Sequence, residues 1–328
     1  MSEIIEILLL LALPASGKSE VRRYLASLTP EQCRDDFHLG PTAQLDDYPY
    51  VHMMRRVSQE LRRLGEDGVF FASDDLPMQE PLDWGTLIEL LNEDFDDLAR
   101  RRRPAPASAA EWLLGRFDAA RARVGARPAF APLAPGTRRA LIAALEREAG
   151  DLLRDRNAAV PDSLDGRTVV IEAARGGPDG ATPPLPAPLG YEYSLGRFSD
   201  AILARASILY VWVTPEESRR KNHERTDPND PGSILHHGVP MGVMLGDYGC
   251  DDMDSLIARS DRPDTVRIAT RGRVYHLPVG RFDNRVDKTT FVRADRPAWK
   301  PADVAALHSG LAAAFSRLAA AGAARVAG

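Results

Sequence analysis

Short apolar runs alternate with longer segments of helical periodicity along most of this chain. The runs are rich in Val, Ile and aromatic residues and cover residues 4–12, 68–73, 168–174, 207–213 and 273–282. Continuous apolar runs of this length, separated by helical segments, are typical of parallel strands that are buried on both faces. The pattern therefore predicts an α/β fold with a mostly parallel five-stranded sheet covered by helices on both sides.

The pattern changes between residues 84 and 157. Leu87, Leu90, Leu91, Phe95 and Leu98 recur at helical spacing, and further helical patterns follow over 112–124 and 138–154. We expect residues 1–83 and 158–328 to form the core and 84–157 to form a helical insertion. It could cap a substrate, bind a protein partner or simply enlarge the core. The arginine run at 100–103 is interpreted as a solvated helix end rather than a phosphate or nucleic-acid site.

Composition narrows the class of protein. The chain has 328 residues, 44% of them hydrophobic, and a formal net charge of −5, which argues against a protein that coats nucleic acid. Two cysteines, Cys33 and Cys250, are too few for a disulfide framework and indicate a reducing cytoplasm. The apolar N-terminus lacks a basic flank and carries Glu3 and Glu6, so we do not interpret it as a signal peptide. No later stretch suggests a membrane span, and we expect no membrane partner.

The segment after the first apolar run carries the most specific signal. It matches the phosphate-binding pattern G-x-x-x-x-G-K-[ST], with an alanine at the first glycine position. Its residues are Ala12, Leu13, Pro14, Ala15, Ser16, Gly17, Lys18 and Ser19. Such a loop wraps phosphates with backbone N–H groups and ends on a helix N-terminus, whose dipole favours anions. We expect it to bind ATP or another nucleoside triphosphate, with Lys18 on the β- and γ-phosphates and the Ser19 hydroxyl on Mg²⁺.

Carboxylates at strand ends are candidates for the metal or the acceptor. Glu172 ends an apolar run and is followed by Arg175, so both are expected at the ligand-binding edge of the sheet. Glu172 could hold Mg²⁺ or act as a base; alternatively it pairs with the local arginine. Asp74 follows the run at 68–73 and is the preferred acidic-pair residue for metal or acceptor. Asp36 comes next, and the pair Asp46–Asp47 is a further candidate.

A basic helix is predicted after the run at 207–213. Thr214 and Pro215 begin it, and Arg219, Arg220 and Arg225 follow at spacings that place cations on neighbouring helical faces. Together with 227–249 it is interpreted as a lid whose arginines meet the transferred phosphate, with a solvated basic helix as the alternative. Residues 282–285 are a weak candidate for contact with the base, a strand-ending turn being the favoured interpretation.

These residues resemble one known family. The 13–19 segment, Glu172 with Arg175, and the helix at 219–225 are similar to the nucleoside-monophosphate-kinase group of P-loop NTPases, taken to include small-molecule kinases. The resemblance implies a three-layer α/β/α sandwich, Mg·ATP as cosubstrate, phosphate binding by Gly17, Lys18 and Ser19, and a lid. A monophosphate-binding region is not recognisable between 41 and 83, and the helical insertion is foreign to the small kinases.

Three functions follow from this interpretation. The first is a cytoplasmic ATP-dependent kinase for a small-molecule acceptor, in which Lys18, Glu172, Arg219, Arg220 and Arg225 carry the chemistry. The second is a regulatory NTPase that uses the insertion as a partner surface. The third is a polynucleotide-end kinase. An enclosed acceptor pocket would favour the first, and a large exposed apolar patch over 84–124 would favour the second.

Overall fold

The sheet is mixed and mostly parallel, and it has six strands rather than five. The structure, a computed structural model, describes residues 4–225 and 238–327. The strand order is β2-β3-β1-β4-β6-β5, with β5 antiparallel to β6 and the other pairings parallel. The strands are β1 (Ile7–Leu11), β2 (Thr42–Asp46), β3 (Thr168–Ala173), β4 (Ala206–Trp212), β5 (Thr265–Thr270) and β6 (Arg273–Asp283).

Helices connect the strands and make up most of the remaining described chain. They are α1 (Lys18–Ala26), α2 (Pro30–Phe37), α3 (Tyr48–Arg63), α4 (Asp83–Ala99), α5 (Ala109–Val124), α6 (Pro135–Ala158), α7 (Gly190–Arg197), α8 (Asp200–Leu203), α9 (Pro215–Arg225), α10 (Met241–Gly246), α11 (Met253–Ala258) and α12 (Pro301–Ala327). Two short 3-10 helices, Thr290–Arg293 and Arg296–Ala298, precede α12.

Helices pack on both faces of the sheet, which is compatible with the predicted sandwich. On one face Leu9 of β1 packs in a cluster with side chains from α4, α7, α8 and α11. On the other face Leu8 and Leu10 pack with side chains from α1, α2 and α12. Consecutive residues of β1 thus point to opposite layers, and all five are buried, as a strand in the middle of a parallel sheet requires.

Four of the five predicted strands are confirmed as β1, β3, β4 and β6. The prediction of a strand at 68–73 is wrong. Phe70 and Phe71 are buried there, but their N–H groups donate to the hydroxyl of Ser58 on α3, at 3.1 and 3.2 Å, instead of to a neighbouring strand. The true second strand is β2, an edge strand in which Ala43 and Leu45 are buried while alternate positions are exposed or partly exposed.

The segment from 84 to 157 forms helices, as predicted. Helix α4 packs on the sheet through Ile88, Leu91 and Phe95, whereas α5 and α6 form a further apolar cluster with α3. The division of the chain into a core and an insertion at residues 84 and 157 stays a prediction. A buried carboxylate, Asp94 of α4, is hydrogen-bonded to side chains of α3, α5 and α6.

Helix α12 contains a long apolar stretch, although the sequence pattern predicted no membrane span after the first apolar run. Within it, Pro301–Ala323 is long and apolar enough to cross a membrane, and 28% of its most apolar window is buried. Leu307, Leu311 and Phe315 of this helix pack in the same cluster as Leu8 and Leu10 of β1. Since a core helix meets the same criterion of length and composition, this observation alone assigns no membrane.

Candidate functional site

The candidate site lies where the carboxyl ends of β1, β2 and β3 meet. From β1 the chain moves to β2 and β3 on one side of the sheet and later to β4 and β6 on the other. The connections that leave β1 and its neighbours therefore diverge, which opens a crevice at the carboxyl edge of the sheet. The loop after β1, residues 12–19, lines this crevice from Pro14 onward.

The backbone of the 12–19 loop turns twice through the left-handed region. Ala15 has φ of 55° and Gly17 has φ of 102°. A Cβ on Gly17 would lie 2.5 Å from Thr289 Oγ1, so this position needs glycine for both its conformation and its surroundings. Gly17 also precedes α1 as its N-cap, and it has no side chain to accept the first N–H groups of that helix.

Three side chains brace this loop. Ser218 on α9 donates to the Pro14 carbonyl at 2.7 Å, and the fully buried Asn284 donates to the Ser16 carbonyl at 2.8 Å. Ser16 itself donates to the Leu13 carbonyl. Asn284 thus holds the loop by a hydrogen bond from the turn that follows β6. This position agrees with the favoured interpretation of 282–285 as a strand-ending turn. The carbonyls of Leu13, Pro14 and Ser16 thus accept hydrogen bonds from protein donors.

Lys18 lies at the start of α1 and lines the crevice. Its Nζ donates to the Ala12 carbonyl at 3.2 Å, so the side chain folds back over the loop. The positive charge of Lys18 is close enough to Asp47 to favour that residue's carboxylate form. A cation, a helix N-terminus and the turned 12–19 loop therefore converge at one end of the crevice.

Two carboxylates lie side by side in the sheet next to this end. The β2–β3 register places Asp46 opposite Glu172, and Arg22 of α1 spans both, with NH1 2.8 Å from Glu172 Oε2 and 3.7 Å from Asp46 Oδ2. Burial, followed by the charges of Glu172 and Asp47, raises the pKa of Asp46 to about 7. Arg22 is thus shared by two carboxylates, Asp46 and Glu172. Because one positive charge faces two acids, a further cation bound beside them would be favourable.

The third carboxylate is held by a buried arginine. Arg175 has 1% of its surface exposed, and its NH1 lies 2.5 Å from Asp47 Oδ2. The same guanidinium lies 5.1 Å from the centre of the Trp84 ring. Burial raises the pKa of Asp47, and the pairing with Arg175 opposes this shift. Arg175 was expected at this edge of the sheet; its role is to hold Asp47 rather than to pair with Glu172.

The crevice continues past the carboxylates as a cavity with largely apolar walls. Its lining residues beyond the loop are Glu20, Asp46, Asp47, Tyr48, Val51, Arg55, Phe71, Trp84, Glu172, Ala173, Ala174, Val239, Pro240, Val243, Asp247 and Tyr248. The Trp84 and Tyr248 rings meet edge to face with centroids 5.6 Å apart. Burial raises the pKa of Asp247 to about 6, and this carboxyl accepts from Met78 N at 3.1 Å and from the Trp84 side chain.

The structure brings together most of the predicted loop residues and three of the predicted carboxylates, Glu172, Asp46 and Asp47. Residues 14–19, including Lys18 and Ser19, line the same cavity as Glu172. Ala12 and Leu13 are buried beneath the loop and do not line the cavity.

Other predicted residues lie elsewhere. Asp74 does not line the cavity; its carboxylate binds Arg62 at 2.8 Å and Gln59 at 2.9 Å, because the strand that would have carried it to the sheet edge does not exist. Arg219 pairs with Asp179 at 3.2 Å, and Arg220 pairs with acids of its own helix. Neither arginine lines the cavity, and their role in a lid stays a prediction. The side chain of Arg225 and residues 226–237 of the predicted lid lie outside the described residues.

The acidic pair that lines the cavity, Asp46–Asp47, is not the one that the sequence pattern favoured. Asp46 ends β2 and Asp47 follows it as the N-cap of α3, whereas the Asp36 carboxylate lies 3.6 Å from His308 Nε2 on another surface. Strand β2 is marked in the sequence only by apolar residues at alternate positions, Ala43 and Leu45. Two alternating residues in a five-residue edge strand are a weak pattern. Arg55 also lines the cavity and was not among the predicted site residues.

No closed metal site is present among residues 4–225 and 238–327, in which no group of three or more His, Cys, Asp or Glu could hold an ion. A magnesium ion bound chiefly through phosphate oxygens needs only one or two protein ligands, so this finding leaves such a site open. Comparison with known protein families, with curated proteins and with solved structures finds no match to this chain.

Proposed function

We propose that this protein is a P-loop phosphotransferase that moves a phosphoryl group from Mg·ATP, or another nucleoside triphosphate, to a small-molecule acceptor. The observation that carries the proposal is the continuity of the cavity. One end has the turned loop, Lys18 and the N-terminus of α1, and the other end has an apolar chamber lined by aromatic side chains. Asp46, Asp47 and Glu172 lie between the two ends, where a donor and an acceptor would meet.

The residues fit a bound triphosphate. The loop backbone and Lys18 would hold the phosphates, and the glycine at position 17 lets the chain pass close to them. Ser19 would bind Mg²⁺ directly, and Glu172 or Asp46 would bind it through water. When bound, the ion neutralises charge on the phosphate oxygens.

The transfer itself needs little from the protein beyond position and charge. The acceptor hydroxyl oxygen would form the new bond to the γ-phosphorus while the bond from that phosphorus to the bridging oxygen breaks. The electron pair leaves with the nucleoside diphosphate, and the hydroxyl proton passes to a carboxylate. Asp46 and Asp47 are the carboxylates placed to orient the hydroxyl, and Arg175 keeps Asp47 in place.

The alternatives have less support. Between residues 84 and 124, all of which the structure describes, no large hydrophobic side chain is exposed, so the surface expected of a partner-binding switch is not found there. Three arginines of the 100–103 run already have partners within the protein, which makes them less available to the phosphates of a polynucleotide. Arg100 and Arg102 pair with acids of α4, and Arg103 donates to the Val160 carbonyl at 2.6 Å.

The test is ADP formation from Mg·ATP with and without a pooled extract of small metabolites. We expect turnover only with the extract, and a loss of about 100-fold or more in Lys18→Ala, since its amine would stabilise charge on the transferred group. Lys300→Ala, which removes an exposed lysine, is the matched control and should keep full activity. Folded Lys18→Ala protein with undiminished turnover would contradict the proposal, and turnover indifferent to the extract would favour the switch.

A further inference from the structure

One face of α3 forms a wall of the acceptor chamber. Tyr48, Val51 and Arg55 follow one another at spacings of three and four residues, and all three line the cavity. Such spacing places side chains on the same helical face. Because a helix rises 1.5 Å per residue, Arg55 lies about 12 Å along the axis from Asp47 at the N-cap. The chamber therefore extends well beyond the carboxylates, and it ends in a cation.

Arg55 makes no direct ion pair with an acid among the described residues, although Asp74 and Asp247 lie close enough to favour its charged form. Its NH1 donates to the backbone carbonyl of Asp74 at 2.7 Å, and its guanidinium carbon lies 4.2 Å from the centre of the Phe71 ring. No carboxylate oxygen in residues 4–225 and 238–327 lies within 4.0 Å of a nitrogen of this side chain. A partly buried arginine that stacks on an aromatic ring and keeps donors unused is a typical site for an oxyanion.

The acids around Arg55 are engaged elsewhere. Asp47 pairs with Arg175, and the Asp74 carboxylate binds Arg62 and Gln59. Asp247 accepts from Met78 N and from the Trp84 side chain, and the nearby charge of Arg55 also favours its carboxylate form; burial nevertheless raises the pKa of Asp247 to about 6, so its negative charge is costly in this chamber. These groups thus have their own donors, and Arg55 remains the cation available to a ligand.

The walls between the two ends are apolar. Val51, Phe71, Trp84, Val243 and Tyr248 line this stretch of the cavity. Aromatic and aliphatic walls with a few placed polar groups are what a planar or apolar ligand body needs.

We infer that the acceptor is an amphipathic anion, with a hydroxyl at the Asp46–Asp47 end, an apolar or aromatic body along α3, and a carboxylate or phosphate at Arg55. This inference rests on the proposed function, because the apolar chamber is taken as the acceptor site. The oxyanion would form a paired hydrogen bond with the donors of the guanidinium that the Asp74 carbonyl does not use.

The test compares matched probes by calorimetric titration into the full chain saturated with Mg²⁺ and a non-hydrolysable ATP analogue. The probes are para-hydroxymethyl-phenylacetate, its neutral amide, and para-hydroxymethyl-benzylphosphonate. We expect at least one of the two anions to bind ten-fold or more tightly than the amide. Arg55→Gln should remove this preference, and Arg63→Gln, at an exposed arginine on the same helix and outside the cavity, should keep it. The stronger of the two anions distinguishes a carboxylate acceptor from a phosphorylated one.

Equal binding of acid, phosphonate and amide would overturn the inference, as would a charge preference that survives in Arg55→Gln or no binding by either anion. Binding of the ATP analogue, titrated separately, distinguishes these failures from failure of the proposed function. If the analogue binds wild-type and Arg55→Gln protein equally while the anions show no preference, only the acceptor class is wrong. If the analogue does not bind at all, the proposed function is wrong.

Discussion

A single glycine sets the shape of the phosphate-loop candidate. Gly17 combines a left-handed φ of 102° with the close approach of Thr289. We predict that Gly17→Ala lowers the free energy of unfolding by at least about 2 kcal/mol, through strained backbone and displaced Thr289. We also expect binding of an ATP analogue to weaken ten-fold or more. Urea denaturation and calorimetry measure the two effects.

Gly65→Ala is the matched control for that substitution. Gly65 also has a positive φ, of 83°, but a Cβ there would meet nothing within 4 Å. Its variant should lose about 1 kcal/mol for the backbone conformation alone and should bind the analogue as wild type does. Equal losses of stability and binding in the two variants would mean that the contact with Thr289 does not matter.

A buried carboxyl away from the cavity makes stability depend on pH. Asp251 accepts from Tyr210 at 2.8 Å and from Met253 N at 3.0 Å, and burial raises its pKa to about 7. The folded state then binds this proton more tightly than the unfolded chain, so the contribution of Asp251 to stability falls as pH rises from about 4 to about 7.

Asp251→Asn should remove this dependence. Relative to wild type, we expect the variant to gain at least about 1 kcal/mol of stability between pH 5 and pH 8, measured by urea denaturation at each pH. Asp162→Asn, at an exposed acid that does not contribute to the pKa of Asp251, serves as the control. Parallel pH profiles for wild type and Asp251→Asn would show that Asp251 titrates normally.

At the scale of elements, the two misassigned segments have one cause. The segment at 68–73 is as apolar as a central strand, and β2 is only half apolar, yet β2 lies in the sheet. The two segments differ in the groups that accept hydrogen bonds from their backbone N–H groups. The Ser58 hydroxyl of α3 accepts hydrogen bonds from the N–H groups of Phe70 and Phe71. The two aromatic rings are buried among helices, so the segment buries its apolar side chains without joining the sheet.

Ser58→Ala tests this account of the 68–73 segment. It would leave two buried N–H groups without their acceptor, and we expect a loss of about 1–3 kcal/mol in the free energy of unfolding. Ser163→Ala, at an exposed serine in a turn, should change stability by less than about 0.5 kcal/mol. A comparably small loss in Ser58→Ala would mean that other groups satisfy this loop.

At the scale of the whole molecule, one acid joins four helices. Asp94 on α4 accepts from Tyr50 of α3 at 2.6 Å, from Arg116 of α5 at 2.7 Å and from Arg156 of α6 at 2.7 Å. We predict that Asp94→Ala costs about 3–5 kcal/mol, because two buried arginines would lose their shared partner. Asp155→Ala on α6 is the exposed control, and a loss below about 1 kcal/mol in Asp94→Ala would contradict the network's importance.

The sequence allowed the sheet class, the central strands and the 12–19 loop to be predicted, because continuous apolar runs and a glycine–lysine loop are local signals. Thus β1, β3 and β4 were found from their residues alone. The acceptor chamber was not predicted. Arg55, Trp84 and Tyr248 come from distant parts of the chain, and only tertiary packing places them on one cavity. Asp46 and Asp47 were visible but ranked low, because the edge strand that positions them has a weak pattern.

The brace on the loop has a consequence for how the protein is made. Asn284 holds Ser16 from a position 268 residues later in the chain. At a synthesis rate of about 5–20 residues per second, roughly 15 to 50 s separate the two on the ribosome. The loop emerges first, and its brace follows only 268 residues later. A nascent chain released before residue 284 should therefore lack the hydrogen bond that holds Ser16, whatever else of the sheet has already formed.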